Sequence, residues 1–193
     1  MFGANKVEWT LDETKNQLSA RFTLNNAGGW GAVGFKTPSD GSEMTGATIV
    51  LGYGTSGNGT INEYYASGNF QPSKLSANQF TSATSLTTGS TTTITLVRAL
   101  SRPQNAPSTY YAFSKGTKTT LLLAAQSSQQ PLSPTNFVVH DFHAIYPSGI
   151  DFYSNGSTCG TPKKSNEGGQ RSGGVVSVMM TSVMIGLIVS FLF

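Results

Sequence analysis

The stretch 47-ATIVLGYGTSGNGTINEYY-65 admits two folds. Its centre, 52-GYGTSG-57, is a literal G-x-G-x-x-G after a β-branched run, the spelling of a dinucleotide-binding turn. That turn works because its glycines let a pyrophosphate approach the N-terminus of a following helix. Here the chain continues as 58-NGTINEYYASG-68, which alternates as a strand does. The stretch therefore reads as a hairpin, two strands joined by a glycine-rich turn, and the nucleotide reading falls with the missing helix. A second glycine-rich segment, 28-GGWGAVGF-35, is no phosphate loop either. Its small residues flank Trp30 and Phe35 and let a flat, bulky group approach a strand backbone.

The same pattern extends in both directions. Period-2 alternation bounded by Gly, Asn, Ser or Pro predicts strands over residues 7–11, 18–24, 30–35, 47–52, 61–65, 81–87, 91–98, 119–125, 137–142 and 150–153. No amphipathic helix separates them, so the expected fold is all-β, an antiparallel β-sandwich rather than a parallel α/β sheet. The polar stretch 99-ALSRPQNAPSTYYAFSKG-116 interrupts the series as a long loop, a kind of segment that is usually functional or mobile.

Of the 193 residues, 37% are hydrophobic, enough for one core, and only 11% are charged. The net charge of +3 comes from scattered Lys and Arg, with Lys163 and Lys164 the only adjacent pair. No basic stripe tracks a phosphate backbone, which excludes nucleic-acid binding. The end of the chain, 175-VVSVMMTSVMIGLIVSFLF-193, is an uncharged run long enough to cross a bilayer core. With the polar spacer 169-GQRSGG-174 and the small residues Ser165, Asn166 and Gly168 upstream, it has the pattern of a GPI-attachment signal. A retained single-pass anchor is the alternative. The expected organisation is a sandwich domain over 1–158, a flexible polar stalk over 159–174 and a hydrophobic segment over 175–193. Either anchor places the domain on the extracellular face of the plasma membrane. The start, 1-MFGANKVEWT-10, carries no apolar leader, so an N-terminus upstream of Met1 is expected. The sequons at Asn58 and Asn155 are glycosylation candidates in such a location, and the lone Cys159 suggests a partner cysteine elsewhere.

Catalytic constellations are thin. Cys159 falls in the stalk, no G-x-S-x-G elbow occurs, and among the nine acidic residues Asp12/Glu13, Asp40/Glu43 and Asp141/Asp151 sit near turns or strand ends, where solvated surface is the default reading. Zinc needs three or four His, Cys or carboxylate ligands, and the chain has two histidines, His140 and His143. Placed on a strand, they would point to opposite faces and not share a metal. One histidine and one methionine, however, make a complete axial set for six-coordinate haem iron. Met44 stands in the loop before the strand that opens the decisive stretch.

The order 8-EWTLDETKNQLSARFTL-24, 29-GWGAVGF-35, 43-EMTGATIVLGY-53, 63-EYY-65, 121-LLLAAQ-126 and 136-NFVVHDFHAIYPSGIDF-152 closely resembles a DOMON domain. The resemblance covers roughly residues 5–155, and its most specific parts are the Gly-Trp-x-Ala-x-Gly-Phe strand and the Met-x-Gly-Ala junction. It implies a β-sandwich in which a methionine at that junction and a late histidine ligate a b-type haem. Met44 matches the first position and His140 the second, with His143 as the alternative, because Asp141-Phe142-His143 replace the Gly and Arg usual after the family's histidine. Trp30, Phe35 and Phe142 are inferred as pocket wall. With both axial positions filled, the domain would transfer single electrons and not act as an enzyme. Its partners would be a membrane reductase or a small reductant such as ascorbate, the latter implied by the family alone. A DOMON module that binds carbohydrate without haem, stacking sugars on Trp30, Tyr64, Tyr65, Tyr110 and Tyr111, is the rival expectation. A purely structural ectodomain is the third.

Overall fold

A computed structural model of the chain describes residues 5–38, 44–55, 59–153 and 172–178. Asn58, Asn155, Cys159, most of the stalk and residues 179–193 lie outside them. Eleven strands occur among the described residues: β1 (Asn5–Asp12), β2 (Gln17–Asn25), β3 (Trp30–Lys36), β4 (Thr48–Tyr53), β5 (Thr60–Tyr65), β6 (Ser73–Lys74), β7 (Ser82–Thr88), β8 (Thr91–Ala99), β9 (Thr119–Gln126), β10 (Phe142–Ile150) and β11 (Ser172–Val178). One sheet runs β11-β1-β2-β8-β7 and the other β10-β9-β3-β4-β5-β6, with every pairing antiparallel. The fold is an antiparallel β-sandwich, and no helix long and apolar enough to cross a membrane occurs among the described residues. Strand β11 pairs with β1 from Ser172 to Val178, so the expected stalk-to-tail boundary after Gly174 falls within a strand.

The decisive stretch is the β4–β5 hairpin, in register from Thr48 opposite Tyr65 to Tyr53 opposite Thr60. Gly54 takes the left-handed φ of 108° that its turn requires, and its carbonyl accepts from Thr87 N at 2.9 Å.

The two sheets read differently because they are buried differently. In β1, β2 and β8 the inward side chains, Val7, Trp9, Leu18, Phe22, Ile94 and Leu96 among them, alternate with half-buried or exposed polar ones. Strands β3, β4 and β9 are covered on both faces, which is why GWGAVGF, TIVLG and LLLAA are continuous apolar runs. Trp9 Nε1 donates to the Phe152 carbonyl at 3.1 Å, and their rings meet edge to face at 5.2 Å. That contact ties the first strand to the end of the domain, 143 positions along the chain.

The expected loop 99–116 is a loop, and it closes one end of the sandwich. Leu100, Tyr110 and Phe113 are buried, Phe113 N donates to the Leu100 carbonyl at 2.8 Å, and Leu100 N donates to the Asn16 carbonyl at 3.0 Å. Beneath it lies a buried ion pair between Arg98 and Glu63. The guanidinium also donates to the Tyr111 carbonyl at 3.1 Å and stands 4.6 Å from the Tyr110 ring centroid.

Candidate functional site

The outer face of the second sheet carries a core of its own. Trp30 and Ala32 on β3, Ile49 and Leu51 on β4, Tyr64 on β5 and Leu122 on β9 all point away from the sandwich interior, yet all are buried. Their cover is the segment between β9 and β10. Phe137 packs edge to face against Trp30 at 5.8 Å and Tyr64 at 5.6 Å, and Tyr64 Oη donates to the Pro134 carbonyl at 2.7 Å. Burial pushes the Tyr64 phenol well above its ordinary range.

Met44 packs against this cluster from the loop before β4. Three backbone ties set its place. Its N–H donates to Asn69 Oδ1 at 3.2 Å, its carbonyl accepts from Ala47 N at 3.0 Å, and Gly46 N donates to the Ala66 carbonyl at 2.8 Å. Gly46 has φ 82°, so this tight turn needs a glycine there. The buried Lys36 ammonium reaches the neighbouring Thr45 carbonyl at 3.1 Å.

The histidines approach from the other side. The predicted strand over 137–142 is irregular; β10 begins at Phe142, so His140 precedes the strand and His143 lies on it. Alternation of faces therefore does not apply between them. The chain turns at Asp141, whose N–H donates to the Ala125 carbonyl at 3.1 Å and whose carboxylate accepts from Ser127 N and Oγ. The Ser127 hydrogen bonds hold that carboxyl below its ordinary value. The result brings the His140 and His143 rings to 5.0 Å between centroids, tilted by 59°. His140 is half-buried and His143 is exposed.

Met44, His140 and His143 line one cleft with Ala32, Gly34, Ile49, Leu122, Ala124 and Ile145. A thioether and two imidazoles thus share one cleft whose remaining lining is apolar. Of the inferred wall residues, Trp30 lies on this face, in the cluster behind the cleft. Phe35 and Phe142 do not; both sit in the core between the sheets, Phe35 against Phe22 at 5.9 Å. Parity is the reason, since Trp30, Ala32 and Gly34 share one face of β3 while Gly31, Val33 and Phe35 share the other. The same rule, applied to GWGAVGF, would have picked out Ala32 and Gly34. Among the aromatics considered for sugar stacking, Trp30, Tyr64 and Tyr110 are buried. Tyr65, Tyr110 and Tyr111 line a separate cleft with Thr37, Thr45 and Thr48.

The DOMON-domain pattern matches residues 3–126. The chain belongs to the DOMON family. Its match takes in Met44 and ends before the segment that carries both histidines. In three dimensions, this DOMON domain resembles the cytochrome b domain of pyranose dehydrogenase from Coprinopsis cinerea, with a TM-score of 0.53 and 16% identity over 78% of this chain and 80% of that one. The cytochrome domain of Myriococcum thermophilum cellobiose dehydrogenase is also similar, with a TM-score of 0.48 and 13% identity over 72% and 79%. At these identities the likeness is one of fold. No curated protein sequence matches the chain.

Proposed function

We propose that this DOMON domain is an extracellular, membrane-tethered b-type cytochrome that passes single electrons through a haem held by Met44 and His140. The observation that carries this reading is the convergence of Met44, His140 and His143 on one apolar cleft. Bound between a thioether and an imidazole, haem iron supplies reversible one-electron chemistry at a raised potential.

The residues fit the group. The soft sulfur of Met44 and the imidazole nitrogen of His140 would hold the group, and Ala32, Gly34 and Ala124 keep the floor shallow. A Cβ on Gly34 would stand 3.1 Å from Leu122 Cβ, so the glycine leaves room that any other residue would fill. Trp30 Nε1 is buried without a hydrogen-bond partner on the same face, a donor available to a polar edge. The space within the cleft is about 60 Å³, against several hundred for a typical ligand pocket, so a haem would be held only with Met44 and the histidines further apart. Met44, unbranched and flexible, suits that movement.

Each residue then has a task. Met44 and His140 bind, His140 being the more sheltered imidazole. Leu122, Ile49 and Ile145 exclude water from the face they line. Lys36 and Asn69 fix the methionine turn, and the Asp141–Ser127 bonds fix the histidine turn.

Tethering rests on the uncharged run 175–193, through a GPI anchor or a single span, with Asn58 and Asn155 as glycan acceptors on the extracellular side. The proposed organisation remains a DOMON domain, a polar stalk and that hydrophobic segment. Electrons would come from a small reductant such as ascorbate or from a membrane redox partner.

The deciding experiment is an oxidised-minus-dithionite-reduced absorbance spectrum of the protein secreted by a eukaryotic host supplied with haem. Sharp α and β bands of a six-coordinate b-type haem are expected. A folded, colourless protein that haemin fails to reconstitute would overturn the reading.

A further inference from the structure

We propose that Met44, His140 and His143 together form a copper(I) site, closed when no macrocycle stands between them. The inference does not rest on the haem reading, which uses only one of the two histidines. It rests on the geometry of the ring pair and on the chemistry of the third donor.

The two imidazole centroids lie 5.0 Å apart. With a metal–nitrogen distance of about 2.0 Å, each centroid would stand about 3.2 Å from a shared ion, which makes the nitrogen–metal–nitrogen angle about 100°, near tetrahedral. The turn at Asp141 is what permits this, because on a continuous strand an offset of three would send the rings to opposite faces. Met44 lines the same cleft and supplies the third ligand.

The donor set selects the metal. Two imidazoles and a thioether, with no carboxylate in the cleft lining, suit soft copper(I) and are a poor match for magnesium, calcium or manganese. Zinc sites draw on His, Cys, Asp and Glu, and no group of three such residues occurs among the described residues. Apolar walls favour the ion of lower charge, since the cost of desolvation rises steeply with charge. Because haem would need Met44 and a histidine on opposite sides of its plane, the two occupants exclude one another.

The test uses the full chain, purified free of haem and titrated anaerobically with copper(I) against the chromogenic chelator bicinchoninate. Retention of one copper per chain is expected, with Met44→Leu and His143→Ala each weakening it tenfold or more and zinc failing to displace it. His143 is exposed, so its replacement should leave the thermal melt unchanged, separating lost ligation from lost fold. Copper retention that is absent, or indifferent to both substitutions, would overturn the site. Failure of this proposal is distinguishable from failure of the cytochrome reading, because copper is read by chelator competition on the haem-free chain and haem by its low-spin spectrum, so either result can be negative while the other is positive.

Discussion

Arg98 Nη1 lies 3.3 Å from Glu63 Oε1, and neither side chain is exposed to solvent. Removing one partner from such a pair leaves the other charged and buried, which costs about 3–5 kcal/mol. Glu63→Gln is therefore expected to lower the denaturant midpoint sharply. The double replacement Glu63→Leu with Arg98→Met should be milder than either single change, since it leaves no unpaired charge. A double-mutant cycle by urea unfolding checks both statements.

The same carboxyl gives stability a pH dependence. Burial holds Glu63 above its ordinary value of 4.5, against the opposing pull of the Arg98 guanidinium and the Gln79 backbone N–H. On raising the pH, the unfolded chain gives up this proton first, so the native state holds more protons and stability at this site falls. The window opens near 4.5 and closes above the raised native value. The unfolding free energy of the natural sequence, minus that of Glu63→Gln, should decline with pH across that window. A flat or rising difference would contradict the direction.

For the proposed haem, Met44→Leu and His140→Ala should each abolish the low-spin spectrum, whereas His143→Ala should leave it nearly unchanged. Loss of the spectrum in His143→Ala alone would move the ligand to that residue.

Gly34→Val tests the cleft floor without touching a donor atom. A side chain there meets Leu122 Cβ at 3.1 Å, Leu122 Cδ1 at 3.2 Å and Ile49 Cγ1 at 3.4 Å. Overpacking of this kind costs about 1–3 kcal/mol. The variant should fold with a lowered melting temperature and fail to take up haem on titration.

Much of this architecture was legible in short patterns. Alternation located eight of the strands to within a residue or two, and the strand-like sequence after Gly57 was enough to reject a nucleotide turn. Two things were not legible. Strands β3, β4 and β9 are buried on both faces, so hydrophobicity alone does not say which side of them faces the sandwich core; that ambiguity put Phe35 in the wrong layer, while Phe142 was misassigned with the start of β10. The start of β10 was misplaced because 136-NFVVH-140 has strand-like composition, yet its backbone covers the sheet instead of joining it. Phe137 is held there by Trp30 and Tyr64, contacts distant in sequence that no local pattern encodes.

The pairing of β10 with β9 also bears on where this domain can be cut. A chain ending at residue 126, where the family pattern ends, would leave β9 as a bare sheet margin. The run from Leu121 to Ala125 would then present unpaired N–H and C=O groups along an apolar ribbon, a template for a second chain. Trp9 Nε1 would lose its acceptor at Phe152 as well. The independent folding unit is therefore defined by the strand that seals this margin, and a shortened version is expected to self-associate before it binds anything.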